Sequence, residues 1–91
     1  MQENIPIRRV IVSAFGGPEQ LTFDTLSETP TPGALELLVD VEAAGINYLD
    51  VYQRSGRYKL ALPYTPGFEG FGRVRQAGAG VSGFAVGDRV A

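Results

Sequence analysis

The sequence predicts a mainly β domain, built from short strands joined by tight turns and carrying one or two short helices. Three observations lead there. Twelve Gly and six Pro make up nearly a fifth of the 91 residues, a density of chain breakers that suits turns and argues against a helical bundle. Hydrophobic residues at 44% and charged residues at 20% are ordinary for a folded chain and argue against global disorder. Several segments alternate apolar and polar side chains with a period of two, as half-buried strands do. At this length, one domain with a thin core is the upper bound.

The elements follow in order. Ile7 to Phe15 is a β-rich run that Gly16-Gly17-Pro18 ends. Leu21 to Leu26 forms a second short strand, close enough to pair with the first as an antiparallel hairpin. Glu28 to Gly33, with Pro30 and Pro32, reads as an extended connector. Leu35 to Ala44 is the clearest strand: Leu35, Leu37, Val39, Val41 and Ala43 share one face, and Glu36, Leu38, Asp40, Glu42 and Ala44 lie on the other. Asn47 to Ser55 is the best short helix. Asn47 suits its N-cap, Asp50 places negative charge in the first turn, and Gly56 stands where a left-handed stop is needed. Tyr58 to Gly67, with Pro63 and Pro66, is a loop. Gly70 to Ala77 resumes strand character, with Val74 inward and Arg73 and Arg75 on the opposite parity. Gly78-Ala79-Gly80 is a turn, Val81 to Val86 a short return segment, Gly87-Asp88 a tight turn, and Arg89 to Ala91 the start of a strand.

Composition excludes several kinds of chemistry. With no Cys and no His there is no disulfide, zinc finger, histidine metal site, thiol nucleophile or imidazole base. No apolar run is long enough for a spanning helix and the N-terminus has no signal-peptide core, so the expected setting is cytoplasmic, away from membranes. A net charge of −2 and a pI near 4.9 give no sign of nucleic-acid binding. The charge is nevertheless uneven. Residues 1–50 carry eight acidic and two basic side chains, whereas 51–91 carry two acidic and six basic. The second half could face an anionic ligand, or these charges could be solvated strand faces.

Two segments could carry chemistry. Gly78-Ala79-Gly80-Val81-Ser82-Gly83 spells GxGxxG, but a dinucleotide fingerprint needs a helix opening at the loop and an acidic residue about 20 positions later. Gly87-Asp88 interrupts any such helix, so a β-turn is the better reading. Ala44 to Tyr58 gathers two amides, a carboxylate, three phenols and two guanidiniums around one helix. Phenols and amides are groups a cleft uses to orient a carbonyl or carboxamide. The competing reading is an amphipathic helix, capped by Asn47, whose tyrosines pack on the sheet.

A resemblance bears on that choice. Ala44 to Gly56 (AGINYLDVYQRSG), Leu62 to Val74 (LPYTPGFEGFGRV) and Gly78 to Ala91 (GAGVSGFAVGDRVA) resemble the medium-chain dehydrogenase/reductase superfamily. Within it, the chain is most similar to the zinc-independent, zeta-crystallin-like quinone oxidoreductases, which Phe15 to Leu21 (FGGPEQL) also fits. The likeness runs through nearly the whole chain, in order. Zinc-dependent members place a metal-binding Cys where Asn47 stands and a His where Phe68 stands, beside Glu69. Neither ligand is present, so the resemblance implies no zinc, with carbonyl polarisation by hydrogen bonds instead.

The resemblance further implies a GroES-like, partly open β-barrel. Residues 1–91 would be its N-terminal catalytic, substrate-binding domain, cut before its final strands and before a Rossmann domain. The parent would be an NADPH-dependent quinone or enone oxidoreductase, while the 91-residue chain would itself be inactive and bind NADPH poorly. The implied catalytic residues are Tyr52, Asn47 and Asp50, with Asn47, Tyr52 and Tyr58 beside the nicotinamide. Arg54 would be structural, four residues after Asp50 on the same helix face. Unpaired strand edges would favour a homodimer. The alternatives are a non-enzymatic GroES-like interaction module and an enoyl-thioester reductase of the same superfamily.

Overall fold

The computed structural model describes residues 6–91 and bears out the mainly β expectation. Its element order is β1 (Ile7–Val12), a 3-10 turn (Pro18–Gln20), β2 (Leu21–Leu26), β3 (Leu37–Ala44), α1 (Tyr48–Ser55), β4 (Gly70–Ala77) and β5 (Arg89–Val90). The chain divides into two compact units. One runs to Thr29 and resumes over Ile46–Phe68; the other comprises Pro30–Gly45 and Glu69–Ala91.

In the first unit β1 and β2 form the expected antiparallel hairpin, in register from Ile7 opposite Leu26 to Val12 opposite Leu21. Arg9 faces Asp24 in that register, and its guanidinium reaches the Asp24 carboxylate at 2.9 Å. The strand ends at Val12, three residues before the predicted Phe15. The reason lies in α1. Gly16 donates its N–H to the Arg54 carbonyl at 2.8 Å, and the Phe15 ring lies against Gly56, so Ser13 to Gly16 leave the ladder to meet the helix C-terminus. Val12 is fully buried and exchanges two backbone hydrogen bonds with Tyr64, at 2.9 and 3.0 Å, which pins the proline-rich loop to the hairpin.

In the second unit β3, β4 and β5 form an antiparallel sheet in that order. β3 begins at Leu37 instead of Leu35, because Gly33 to Glu36 form a turn in which the Glu36 carboxylate accepts the Gly33 N–H at 2.7 Å. Register shifts between Leu38 and Val39 and between Val41 and Ala43 break the strict alternation. The expected inward row is incomplete: Val41, at the second shift, is 66% exposed, and Leu35, in the turn before the strand, is 81% exposed. Val74 on β4 is the buried centre of this unit. On the opposite parity Arg75 meets Asp40 at 2.7 Å and Arg73 meets Glu42 at 3.2 Å. Those pairs account for part of the charge asymmetry as a solvated strand face.

Gly78-Ala79-Gly80 is the expected turn, held by Gly78 N–H to Glu36 O and Gly80 N–H to Ala34 O, both 2.8 Å. Val81 to Val86 forms no ladder, contrary to the predicted return segment. Its end is fixed by the Asp88 carboxylate, which accepts the Ala85 N–H at 2.8 Å and closes the turn before β5.

Candidate functional site

Helix α1 has eight residues, too few to be stable alone, so its ends determine its position. At the N-terminus Asp50 Oδ2 accepts the Asn47 N–H at 2.9 Å, the carboxylate half of a capping box. The expected roles of Asn47 as N-cap and Asp50 as first-turn acid hold. At the C-terminus Gly56 adopts φ 89°, a left-handed conformation that favours glycine, and turns the chain back. Tyr58 N–H then reaches the Tyr52 carbonyl at 3.1 Å.

That return builds an aromatic cluster. Tyr52 stacks on Tyr48 with ring centroids 6.5 Å apart and planes 26° apart, as their four-residue spacing predicts. Tyr58 meets Tyr52 edge-on at 5.5 Å and 89°. The Arg57 guanidinium carbon lies 4.8 Å from the Tyr52 ring centroid. Each ring pair contributes about 0.5–1.5 kcal/mol and the exposed cation–π contact about 0.5–1 kcal/mol. Tyr48 is 81% and Tyr58 52% exposed, so the cluster is open to a ligand.

Of the residues read from sequence, Tyr52 and Tyr58 come together as rings, and Asn47 and Asp50 are joined by the cap. Arg54 is structural, as expected, but through a different partner. Its Nε donates to the Gly16 carbonyl at 3.2 Å, and the ion pair with Asp50 does not form. Phe68 is 56% exposed in this unit, and Glu69 lies in the other, its carboxylate against Gly45.

Two further residues lie beside these groups. Arg57 is one, and Gly56 was the available signal: a left-handed stop places the next residues beside the last helical turn. Tyr64 is the other. Its hydroxyl and Asp50 Oδ1 are both shielded from solvent without a hydrogen-bond partner. Burial pushes the Tyr64 phenol above its ordinary value; the Arg54 charge opposes that shift and the Asp50 charge adds to it. No spacing rule connects Tyr64 to Asp50, because the loop is placed by contacts between distant segments, among them the two backbone bonds to Val12 on β1.

Cofactor fit can be tested from these residues. The GxGxxG run opens no helix, and a Cβ on Gly78 would run into the Gly33 and Ala34 carbonyls. Glycine at 78 thus serves chain packing, and the segment does not fit a dinucleotide pyrophosphate. Among the described residues no three Cys, His, Asp or Glu side chains gather into a metal site, and no helix is long and apolar enough to cross a membrane.

Antiparallel sheets, the capped helix and an aromatic cluster at its exit define a small mainly β domain with a ligand-accessible face. Residues 33–91 match the alcohol dehydrogenase GroES-like domain, and the chain belongs to that family. It is 44% identical over 86 residues to the quinone oxidoreductase of Rattus norvegicus, covering 92% of this chain and 26% of that protein. The solved Escherichia coli quinone oxidoreductase complexed with NADPH superposes with a TM-score of 0.81 at 38% identity, over 91% of this chain and 26% of that one. A solved NAD-dependent alcohol dehydrogenase gives 0.84 at 44%, over 91% and 24%. The chain thus spans about a quarter of the length of the relatives it matches.

Proposed function

We propose that residues 1–91 act as the N-terminal, substrate-binding domain of an NADPH-dependent quinone or enone oxidoreductase that works without zinc. The observation that carries this reading is the Tyr52 cluster, joined to a capped Asn47–Asp50 pair on one short helix. The likeness to quinone oxidoreductases supports it. The nucleotide, held mainly by a further domain of the parent, supplies the hydride. In this reading Tyr52 donates a hydrogen bond to the acceptor carbonyl, Tyr58 offers ring surface, and Asn47 orients a carboxamide. Asp50 holds the helix entry that aims them. Asn47 and Phe68 occupy the positions of metal ligands in zinc-dependent relatives, and neither side chain is a good zinc ligand.

The pyrophosphate mismatch at Gly78 has a direct consequence. Titrating the 91-residue chain with NADPH, followed by nicotinamide fluorescence, is expected to give no saturable binding, and a micromolar curve would overturn the reading. In the parent enzyme Tyr52→Phe should lower kcat/KM for a quinone by about tenfold, the loss of about 1.4 kcal/mol of hydrogen bonding at the carbonyl. Unchanged kinetics would remove Tyr52 from the role. The open outer edge of β2, which pairs only with β1 in the described sheets, supports a homodimer; a 9.7 kDa monomer by light scattering would exclude it.

A further inference from the structure

The distribution of charge around Tyr52 extends the proposed function to the kind of acceptor it takes. From Val51 to Phe68 the chain carries Arg54, Arg57 and Lys59 and no acidic residue. Arg54 is occupied by the Gly16 carbonyl. Asp50, the nearest acid before the run, has one carboxylate oxygen on the Asn47 N–H and the other shielded from solvent. Arg57 is exposed and takes part in none of the three ion pairs of the described residues; its contact is with the face of Tyr52.

Above the Tyr52 ring, the N–H edge of Arg57 is engaged by no ion pair or hydrogen bond among the described residues. That edge is a planar fork suited to a carboxylate or sulfonate. The stack also limits the side chain's freedom, so less entropy is lost when an anion docks. The left-handed Gly56 turn holds both Arg57 and Tyr58 against the Tyr52 ring, which places a positive charge beside the surface proposed for the acceptor.

We propose that Arg57 is a specificity-determining residue that selects acceptors bearing an anionic substituent on the ring. This rests on the reading of the Tyr52 cluster as the acceptor surface. In this arrangement the acceptor carbonyl meets the Tyr52 hydroxyl, its ring lies against Tyr58, and its carboxylate or sulfonate accepts hydrogen bonds from the Arg57 edge.

Three ligands test the proposal on the 91-residue chain by amide chemical-shift titration: anthraquinone-2-sulfonate, neutral 2-(hydroxymethyl)anthraquinone, and naphthalene-2-sulfonate, which is anionic but not a quinone. The sulfonated quinone should bind about threefold to fivefold more tightly than the neutral one, as expected for one exposed ion pair. Shifts should centre on Tyr52, Arg57 and Tyr58. The advantage should shrink with added salt, disappear in Arg57→Gln and persist in part in Arg57→Lys.

Equal binding of the two quinones would overturn the role of Arg57 and leave the quinone reading standing. Naphthalene-2-sulfonate binding as tightly as the sulfonated quinone would keep the role of Arg57 and count against a quinone surface. No binding of any ligand would overturn both. An advantage that survives Arg57→Gln and is lost in Lys59→Gln would overturn the assignment to Arg57.

Discussion

Gly78→Ala separates the two meanings of the GxGxxG run. An alanine Cβ at this position would lie 2.6 Å from the Ala34 carbonyl oxygen and closer still to that of Gly33. Both obstacles are backbone, so no side-chain rotation relieves them. The 33–34 segment would have to withdraw by several tenths of an ångström or more, and it is the segment that accepts the Gly80 N–H at 2.8 Å. Gly78's own bond to Glu36, also 2.8 Å, is strained by the same movement. Losing two backbone bonds at about 0.5–1.5 kcal/mol each, with steric strain added, gives a destabilisation of about 2–4 kcal/mol. For a domain of this size the melting temperature should fall by about 10–20 °C. Gly83→Ala is the control, since Gly83 has φ 85° but no atoms near the added methyl; it should cost about 1–2 kcal/mol through backbone strain. Thermal unfolding followed by circular dichroism reads both variants. A Gly78→Ala melting temperature equal to wild type would refute the packing argument, and loss of nucleotide binding without loss of stability would restore the phosphate-loop reading.

Other expected outcomes concern the helix and its loop. Asp50→Ala removes the carboxylate that accepts the Asn47 N–H and should cost about 1 kcal/mol, with faster amide exchange over Tyr48–Ser55 than elsewhere; uniform exchange would contradict it. Gly56→Ala places a side chain at φ 89° and 3.2 Å from Phe15. It should cost at least about 1 kcal/mol and abolish the nuclear Overhauser contact between Arg57 and the Tyr52 ring, whereas a retained contact would show that the turn does not set the cluster. Tyr64 concerns pH. Its phenol is held above the ordinary value in the folded state, so the unfolded chain loses that proton first and stability falls as pH rises through the tyrosine range. Tyr64→Phe should remove that part of the alkaline loss and leave neutral stability equal to or above wild type, because the deleted hydroxyl has no partner. Superimposable alkaline melting profiles would refute it.

Local signals were the legible ones. The β1–β2 hairpin, the Asn47 cap, the Gly56 stop and the Gly78 turn all follow from residues that prescribe their own backbone or pair with near neighbours. What the sequence did not reveal depends on contacts between distant segments. β1 stops early because Phe15 and Gly16 meet Gly56 and Arg54, nearly forty residues later in the chain. The alternation of β3 promised one buried face, yet two register shifts redistribute it. Arg54 looked like a partner for Asp50 because the two share a helix face. A half-buried carbonyl at Gly16 competes for the same guanidinium, and helical spacing carries no information about that acceptor. Tyr64 is the clearest omission, since its backbone is fixed by a pair of bonds to Val12, fifty-two residues earlier in the chain.

The same dependence explains why the candidate site is concentrated on so short a helix. Eight residues cannot hold a helix by propensity alone, so the position of Tyr52 is set by Asp50 at one end and by Gly56, Arg54 and Phe15 at the other. Those anchors are mostly backbone-directed, and they leave Tyr48, Arg57 and Tyr58 exposed. Stability and ligand contact therefore reside in different atoms of one segment. A change at Gly56 disturbs both, because it alters the backbone that carries Arg57 and Tyr58. A change at Arg57 alters charge at the ring and leaves the anchors in place, so ligand preference can vary at this position without rebuilding the domain around it.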